Sequence, residues 1–245
     1  MNFVDQLYSD LPRVHRGETE MSRAVSRSES ALDDAMWNSI PWNSTACYGV
    51  SRDLAEFLNE VVETGWHTAE TGSGASTLIF AHRGARHTAV TPNREEATTL
   101  VSWAGDHGLD ISRTTFVCKA SEEYLPGCDL EDLDCVLLDG KHAFPWPIID
   151  WFFTASRLKR GGLMILDDID MASVGILVEF LRAETTRWEL VKKFERSICF
   201  RKCVDSIDDV SWHMQPFVAR HLRRQRPRGL KRIMLGIKRR LPKTG

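Results

Sequence analysis

Between Trp66 and Phe200 short apolar runs alternate with longer stretches in which apolar positions recur at helical spacing. Such runs predict buried strands, and the stretches between them predict helices that carry the chain from one parallel strand to the next. The predicted strands are 66–70 (WHTAE), 86–90 (RHTAV), 114–118 (TTFVC), 133–138 (LDCVLL) and 162–166 (GLMIL). Helices are predicted over 76–84, 94–108, 147–161 and 171–186, and another within 48–65, where Leu54, Phe57, Leu58 and Val61 share a face. Two further strands, 187–195 and 196–203, are separated by a tight turn. A hairpin cannot supply a crossover, so at least one of these runs antiparallel. The pattern predicts an α/β fold built on a mostly parallel sheet with a C-terminal antiparallel hairpin.

With 245 residues, 42% of them hydrophobic, the chain can bury one sizeable core. Its six cysteines form no C-x-x-C pair and no zinc spacing, and the opening residues lack the charged-then-apolar order of a secretory signal. No apolar run approaches the ~18 residues of a membrane span. These features lead us to expect a cytoplasmic protein with free thiols.

The net charge of -2 conceals an asymmetry. Residues 220–245 hold 11 of the 32 Lys and Arg and no acid, which leaves -13 on the rest. Leu230, Ile233, Met234, Ile237 and Leu241 recur there at helical spacing among the basic residues. A basic amphipathic helix of this kind suits peripheral contact with an anionic membrane. A solvated extension, or docking on the acidic core of this or a second subunit, is the alternative. Nucleic acid is the weaker partner, because the segment has no aromatic residue to stack on bases.

The first predicted strand runs into Glu70-Thr71-Gly72-Ser73-Gly74-Ala75-Ser76-Thr77. Glycines at a strand-to-helix junction let the backbone approach a ligand, and the following helix presents free N–H groups. A dinucleotide fingerprint would carry a third glycine where Thr77 stands. Glu70 before the glycines would repel a pyrophosphate and suits a ligand with a cationic or hydroxylated end.

This stretch resembles the Asp/Glu-x-Gly-x-Gly motif of the class I S-adenosylmethionine-dependent methyltransferases, and the resemblance extends over roughly residues 45–203. It implies a Rossmann-like methyltransferase fold, a seven-stranded sheet with helices on both faces, and S-adenosylmethionine held by Glu70, Gly72, Gly74 and Ser76. In that family an acid after the second strand binds the ribose hydroxyls. Here Thr91 and Asn93 stand there, and an amide bonds one hydroxyl without matching a carboxylate. Ala120, Ser121 and Glu122 would lie near the adenine; a helix cap on a solvated loop is the plain alternative for the last two.

Apolar strand ends also deliver acids: LDCVLLDGKH ends in Asp139 and His142, and GLMILDD in Asp167 and Asp168. Carboxyl ends of neighbouring parallel strands open onto one crevice. Three converging carboxylates repel unless a cation or hydrogen bonds offset them, and oxygen ligation favours Mg²⁺, Ca²⁺ or Mn²⁺ over zinc. The set resembles the metal-dependent O-methyltransferases of the catechol and macrolide-sugar types. That resemblance implies Mg²⁺ on Asp139, Asp167 and Asp168, and His142 as general base acting with Asp139. Taken singly, Asp167 could cap a helix, Asp168 could be solvated and His142 could pack in a loop. Phe144 and Trp146 are pocket candidates, whereas Trp151, Phe152 and Phe153 read mainly as core.

The expected organisation is an irregular and helical N-terminal lid over 1–44, including Trp37 and Trp42, a Rossmann-like domain over 45–205 and a basic tail over 206–245. The leading functional expectation is an S-adenosylmethionine-dependent O-methyltransferase, Mg²⁺-assisted, acting on a small hydroxylated acceptor such as a sugar or vicinal diol. The rival is a non-catalytic module acting through its tail at a membrane or polyanion.

Overall fold

The computed structural model describes residues 2–10, 49–207 and 211–225. Trp37, Trp42 and the tail beyond Gln225 lie outside the described residues. The chain divides into two units, 1–207 and 208–245. Within the second, the described residues hold one helix, Pro216–Gln225. No described helix is long and apolar enough to cross a membrane.

The first unit begins with α1 (Phe3–Ser9) and α2 (Arg52–Val61). β1 (His67–Thr71), α3 (Ala75–His82), β2 (Arg86–Val90), α4 (Arg94–Asp106) and β3 (Thr114–Val117) follow. The short α5 (Ser121–Tyr124) precedes β4 (Leu133–Leu138), α6 (Trp146–Ala155), β5 (Leu158–Leu166) and α7 (Ala172–Ala183). β6 (Trp188–Lys193) and β7 (Ile198–Lys202) close the unit. The seven strands lie in the order β3-β2-β1-β4-β5-β7-β6. β7 runs antiparallel to both β5 and β6, and the other pairings are parallel.

Successive residues of β4 and β5 serve opposite faces, which explains their unbroken apolar runs. Cys135, Leu137, Leu163 and Ile165 pack with Leu54, Leu58, Leu78 and Leu100 from α2, α3 and α4. Val136, Leu138, Met164 and Leu166 pack on the other face with Val174, Leu177 and Leu181 of α7. α1 lies within the segment expected as a lid, yet it inserts Val4 and Leu7 into the first of these cores and stacks Phe3 on His82 at 3.9 Å.

One predicted boundary is corrected. The helix expected over 147–161 ends at Ala155, and β5 starts at Leu158. Arg157 turns back on the helix end, donating to the carbonyls of Phe153 and Leu125. Gly161 (φ +88°) lies within a register shift that pairs Leu133 with Leu158 and Cys135 with Leu163. The apolar residues of LKRGGL thus read as a continuation of helical spacing, although the two glycines mark a strand irregularity.

Strand order reverses between β1 and β4, and the carboxyl ends of these two strands bound the crevice of interest.

Candidate active site

Gly72 brings the β1 loop and the end of β4 together. Its φ is +96°, its N–H donates to the Val90 carbonyl at 2.8 Å, and a Cβ there would lie 2.3 Å from the Asp139 carbonyl oxygen. Only a residue without a side chain permits this approach. A cavity of about 670 Å³ opens above it. Thr71, Gly72 and Ser73 form one edge; Val90, Thr91, Pro92 and Glu96 a second; Ala120, Ser121 and Glu122 a third. Asp139, Gly140, Lys141, His142, Asp167, Asp168 and Arg196 complete the lining.

The structure does not bring every expected cofactor residue to this surface. Gly72, Ser121 and Glu122 line the cavity, whereas Glu70, Gly74, Ser76 and Asn93 do not. Glu70 is 1% exposed and accepts hydrogen bonds from Ser76 Oγ at 2.6 Å and from Thr77 Oγ1. His87 Nε2 lies 3.1 Å from it, and the same ring stacks on Phe80 and bonds Thr68 through Nδ1. Glu70 therefore ties α3 to the sheet from below the loop. Asn93 caps α4, its side-chain oxygen accepting from the Glu96 N–H at 3.1 Å. The carboxylate that reaches the cavity beyond β2 is Glu96, which also accepts from Ser73 Oγ at 2.9 Å. Sequence reasoning missed it because an acid in the first turn of a helix is commonplace.

Both terminal aspartates of β5 find partners in the turn between β6 and β7. Asp167, 3% exposed, accepts from Ser197 Oγ, and Asp168 is ion-paired with Arg196. Asp168 adopts φ +52°, a left-handed conformation that Asp tolerates better than most side chains. His142 Nε2 lies 3.1 Å from Asp168 Oδ2 and 3.7 Å from Asp139 Oδ1. Ser173 Oγ donates to the His142 carbonyl and fixes that loop to the start of α7.

Burial, reinforced by the charges of Asp167 and Asp168, holds the Asp139 carboxyl well above the usual carboxylate range. Burial likewise pushes Asp167 up to about 6, against the opposing hydrogen bond from Ser197. His142 is held below the ordinary imidazole value by burial, with Asp168 acting in the opposite direction. Its neutral form therefore predominates at pH 7.

Asp139, His142 and Asp168 each offer one ligand atom within 4.8 Å of one another. Asp167 stands outside that group. Two carboxylates this close repel one another and a hard divalent cation would relieve that repulsion, so the donor set fits Mg²⁺, with Arg196 already offsetting part of the charge. The cavity fits S-adenosylmethionine as well: its volume lies in the range of small-molecule pockets, and Ser73, Ser121, Glu96 and Glu122 offer hydroxyl and carboxylate partners.

Residues 69–169 match the family model of a methyltransferase domain. These residues form a methyltransferase domain. No match to it is found among the curated proteins. Solved structures share the fold of this methyltransferase at low identity. A protein from Corynebacterium glutamicum is 15% identical, with TM-score 0.54, covering 76% of this chain and 92% of its own. A candidate caffeoyl-CoA O-methyltransferase from Staphylococcus aureus is 13% identical, with TM-score 0.53, over 76% and 100% of the two chains. Cofactor-bound Rv0187 from MTB is 16% identical, with TM-score 0.52, over 74% and 89%.

Proposed function

We propose that this methyltransferase acts on a hydroxyl group of a small hydroxylated acceptor, a sugar or vicinal diol, with His142 as general base. The observation that carries the reading is a neutral-leaning imidazole beside two carboxylates in the cavity bordered by the glycine loop. Asp168 Oδ2 accepts from the Nε2–H, which orients the ring, leaves Nδ1 as the basic nitrogen and favours the imidazolium formed when the acceptor's proton is taken. S-adenosylmethionine supplies a methyl group on a sulfonium sulfur that departs as a neutral thioether. Asp139 and Asp168 would hold Mg²⁺, which lowers the pKa of a bound hydroxyl. Glu96 takes the ribose role that Asn93 cannot fill, because a carboxylate accepts from two hydroxyls at once.

A second reading has the same base without a metal. It is favoured by Arg196 and Ser197, which already partner both β5 aspartates. Calorimetry with S-adenosylhomocysteine tests the cofactor assignment, and Mg²⁺ titration of the same sample separates the two readings. Absence of S-adenosylhomocysteine binding would remove both.

A further inference from the structure

Beneath the cavity wall lies an acid that the chemistry above does not use. Asp150, on α6, is 2% exposed, and its Oδ1 has no hydrogen-bond partner among the described residues. The Thr71 hydroxyl is likewise buried and makes no hydrogen bond of standard geometry among the described residues, although Thr71 itself lines the cavity. The two side chains meet beneath Gly140. A Cβ on that glycine would lie 3.0 Å from Thr71 Oγ1 and 3.3 Å from Asp150 Oδ2. Ser121, another lining residue, also acts on this carboxylate, since the Ser121 and Thr71 hydroxyls oppose the upward push that burial gives Asp150.

An orphaned buried carboxylate oxygen costs free energy that a fold has no reason to retain for packing alone, because an apolar residue in the same place would pack without that cost. Asp150 stands behind three parts of the cavity lining: the end of β1, the start of α5 and the turn after β4.

We propose that Asp150 is a positioning residue for the cofactor: it orients the Thr71 and Ser121 hydroxyls and holds the wall at Gly140 in the shape that receives S-adenosylmethionine. This rests on the cofactor reading above. It goes beyond it by assigning a role to a residue that does not reach the cavity surface.

The test uses the full chain and S-adenosylhomocysteine as the probe, comparing wild type with Asp150→Asn, Thr71→Val and the double variant. Affinity is read by calorimetry, and Tm is read without ligand. Asp150→Asn keeps the shape and removes the buried charge, so Tm should hold or rise while affinity falls about tenfold. In the double variant the loss should be clearly smaller than the product of the two single losses, because both act through one arrangement. A merely structural Asp150 gives the opposite pattern, a lowered Tm with affinity within twofold of wild type, and that result overturns the proposal. Independent losses in the cycle also overturn it. Should Asp150→Asn fail to fold, Thr71→Val decides alone: unchanged affinity counts against the role. Failure of the wild-type chain to bind the probe strikes the cofactor reading instead, which keeps the two failures distinct.

Discussion

Arg196 and Asp168 are ion-paired across 28 residues of sequence, linking the turn of the antiparallel hairpin to the end of β5. The neighbouring residues form a parallel link, Ser197 to Asp167. The hairpin that completes the sheet thus also completes the site. Its turn partners both aspartates, and Arg196 thereby offsets part of the charge that a cation between Asp168 and Asp139 would meet.

Removing the guanidinium should expose that charge. Arg196→Met is expected to lower stability in metal-free buffer by about 1–2 kcal/mol, between the values for exposed and buried pairs, since Arg196 is partly exposed. Mg²⁺ should restore part of the loss. Thermal melts with and without Mg²⁺ provide the check: stabilisation of both proteins supports a native cation site, whereas stabilisation of the variant alone supports the metal-free reading.

Asp167 carries a pH signature of its own. Its native pKa is about 6, against 3.8 for the unperturbed group. Above pH 6 the carboxylate is ionised in both states and its burial burdens the native one by about 3 kcal/mol, at 1.36 kcal/mol per pKa unit. Between pH 6 and 3.8 the native state binds a proton that the unfolded state lacks, so the burden lifts as pH falls. Asp167→Asn, which retains an acceptor for Ser197, should therefore stabilise the metal-free protein most at pH 8 and hardly at all near pH 4. Denaturation at several pH values tests this, and a stabilisation independent of pH would contradict the assignment.

The sheet, its hairpin and the convergence of Asp139, His142 and Asp168 were legible because apolar runs and strand-end acids are local features. The β5 boundary was not, because Leu158 continues a helical spacing while pairing with Leu133. Glu70 shows another limit. Its position before the glycines suggested ligand contact, but Ser76, Thr77 and His87 enclose it once α3 folds back on the sheet. Arg196 and Glu96 carry no motif, and only the tertiary arrangement brings them to the cavity, just as it brings the buried Ser197 to Asp167.

Glu96 yields a separable expectation. If its carboxylate takes the ribose hydroxyls, Glu96→Gln should weaken S-adenosylhomocysteine by roughly tenfold, the scale of one charge-assisted hydrogen bond. Asn93→Ala should instead act on stability, by ~1 kcal/mol, through the lost cap of α4. Paired calorimetry and melts on the two variants would reveal an exchange of these effects, which would return the ribose role to Asn93.

Gly72→Ala isolates the close approach that builds the site. Gly72 and Gly65 share a left-handed φ, +96° and +87°, so alanine strains the backbone at both, by about 1 kcal/mol. At Gly65 a Cβ meets nothing within 4 Å, whereas at Gly72 it would lie 2.3 Å from the Asp139 carbonyl oxygen. The loop and the end of β4 must then separate, which costs further stability and displaces Asp139 from His142. Gly65→Ala should lose about 1 kcal/mol and bind S-adenosylhomocysteine normally. Gly72→Ala should lose about 2 kcal/mol or more, in the range of a core overpacking, and bind the same ligand much more weakly. Urea denaturation and calorimetry on both variants measure the two contributions. Equal losses of stability, with affinity intact, would mean that the backbone conformation alone accounts for Gly72 and that its contact with Asp139 does not shape the site.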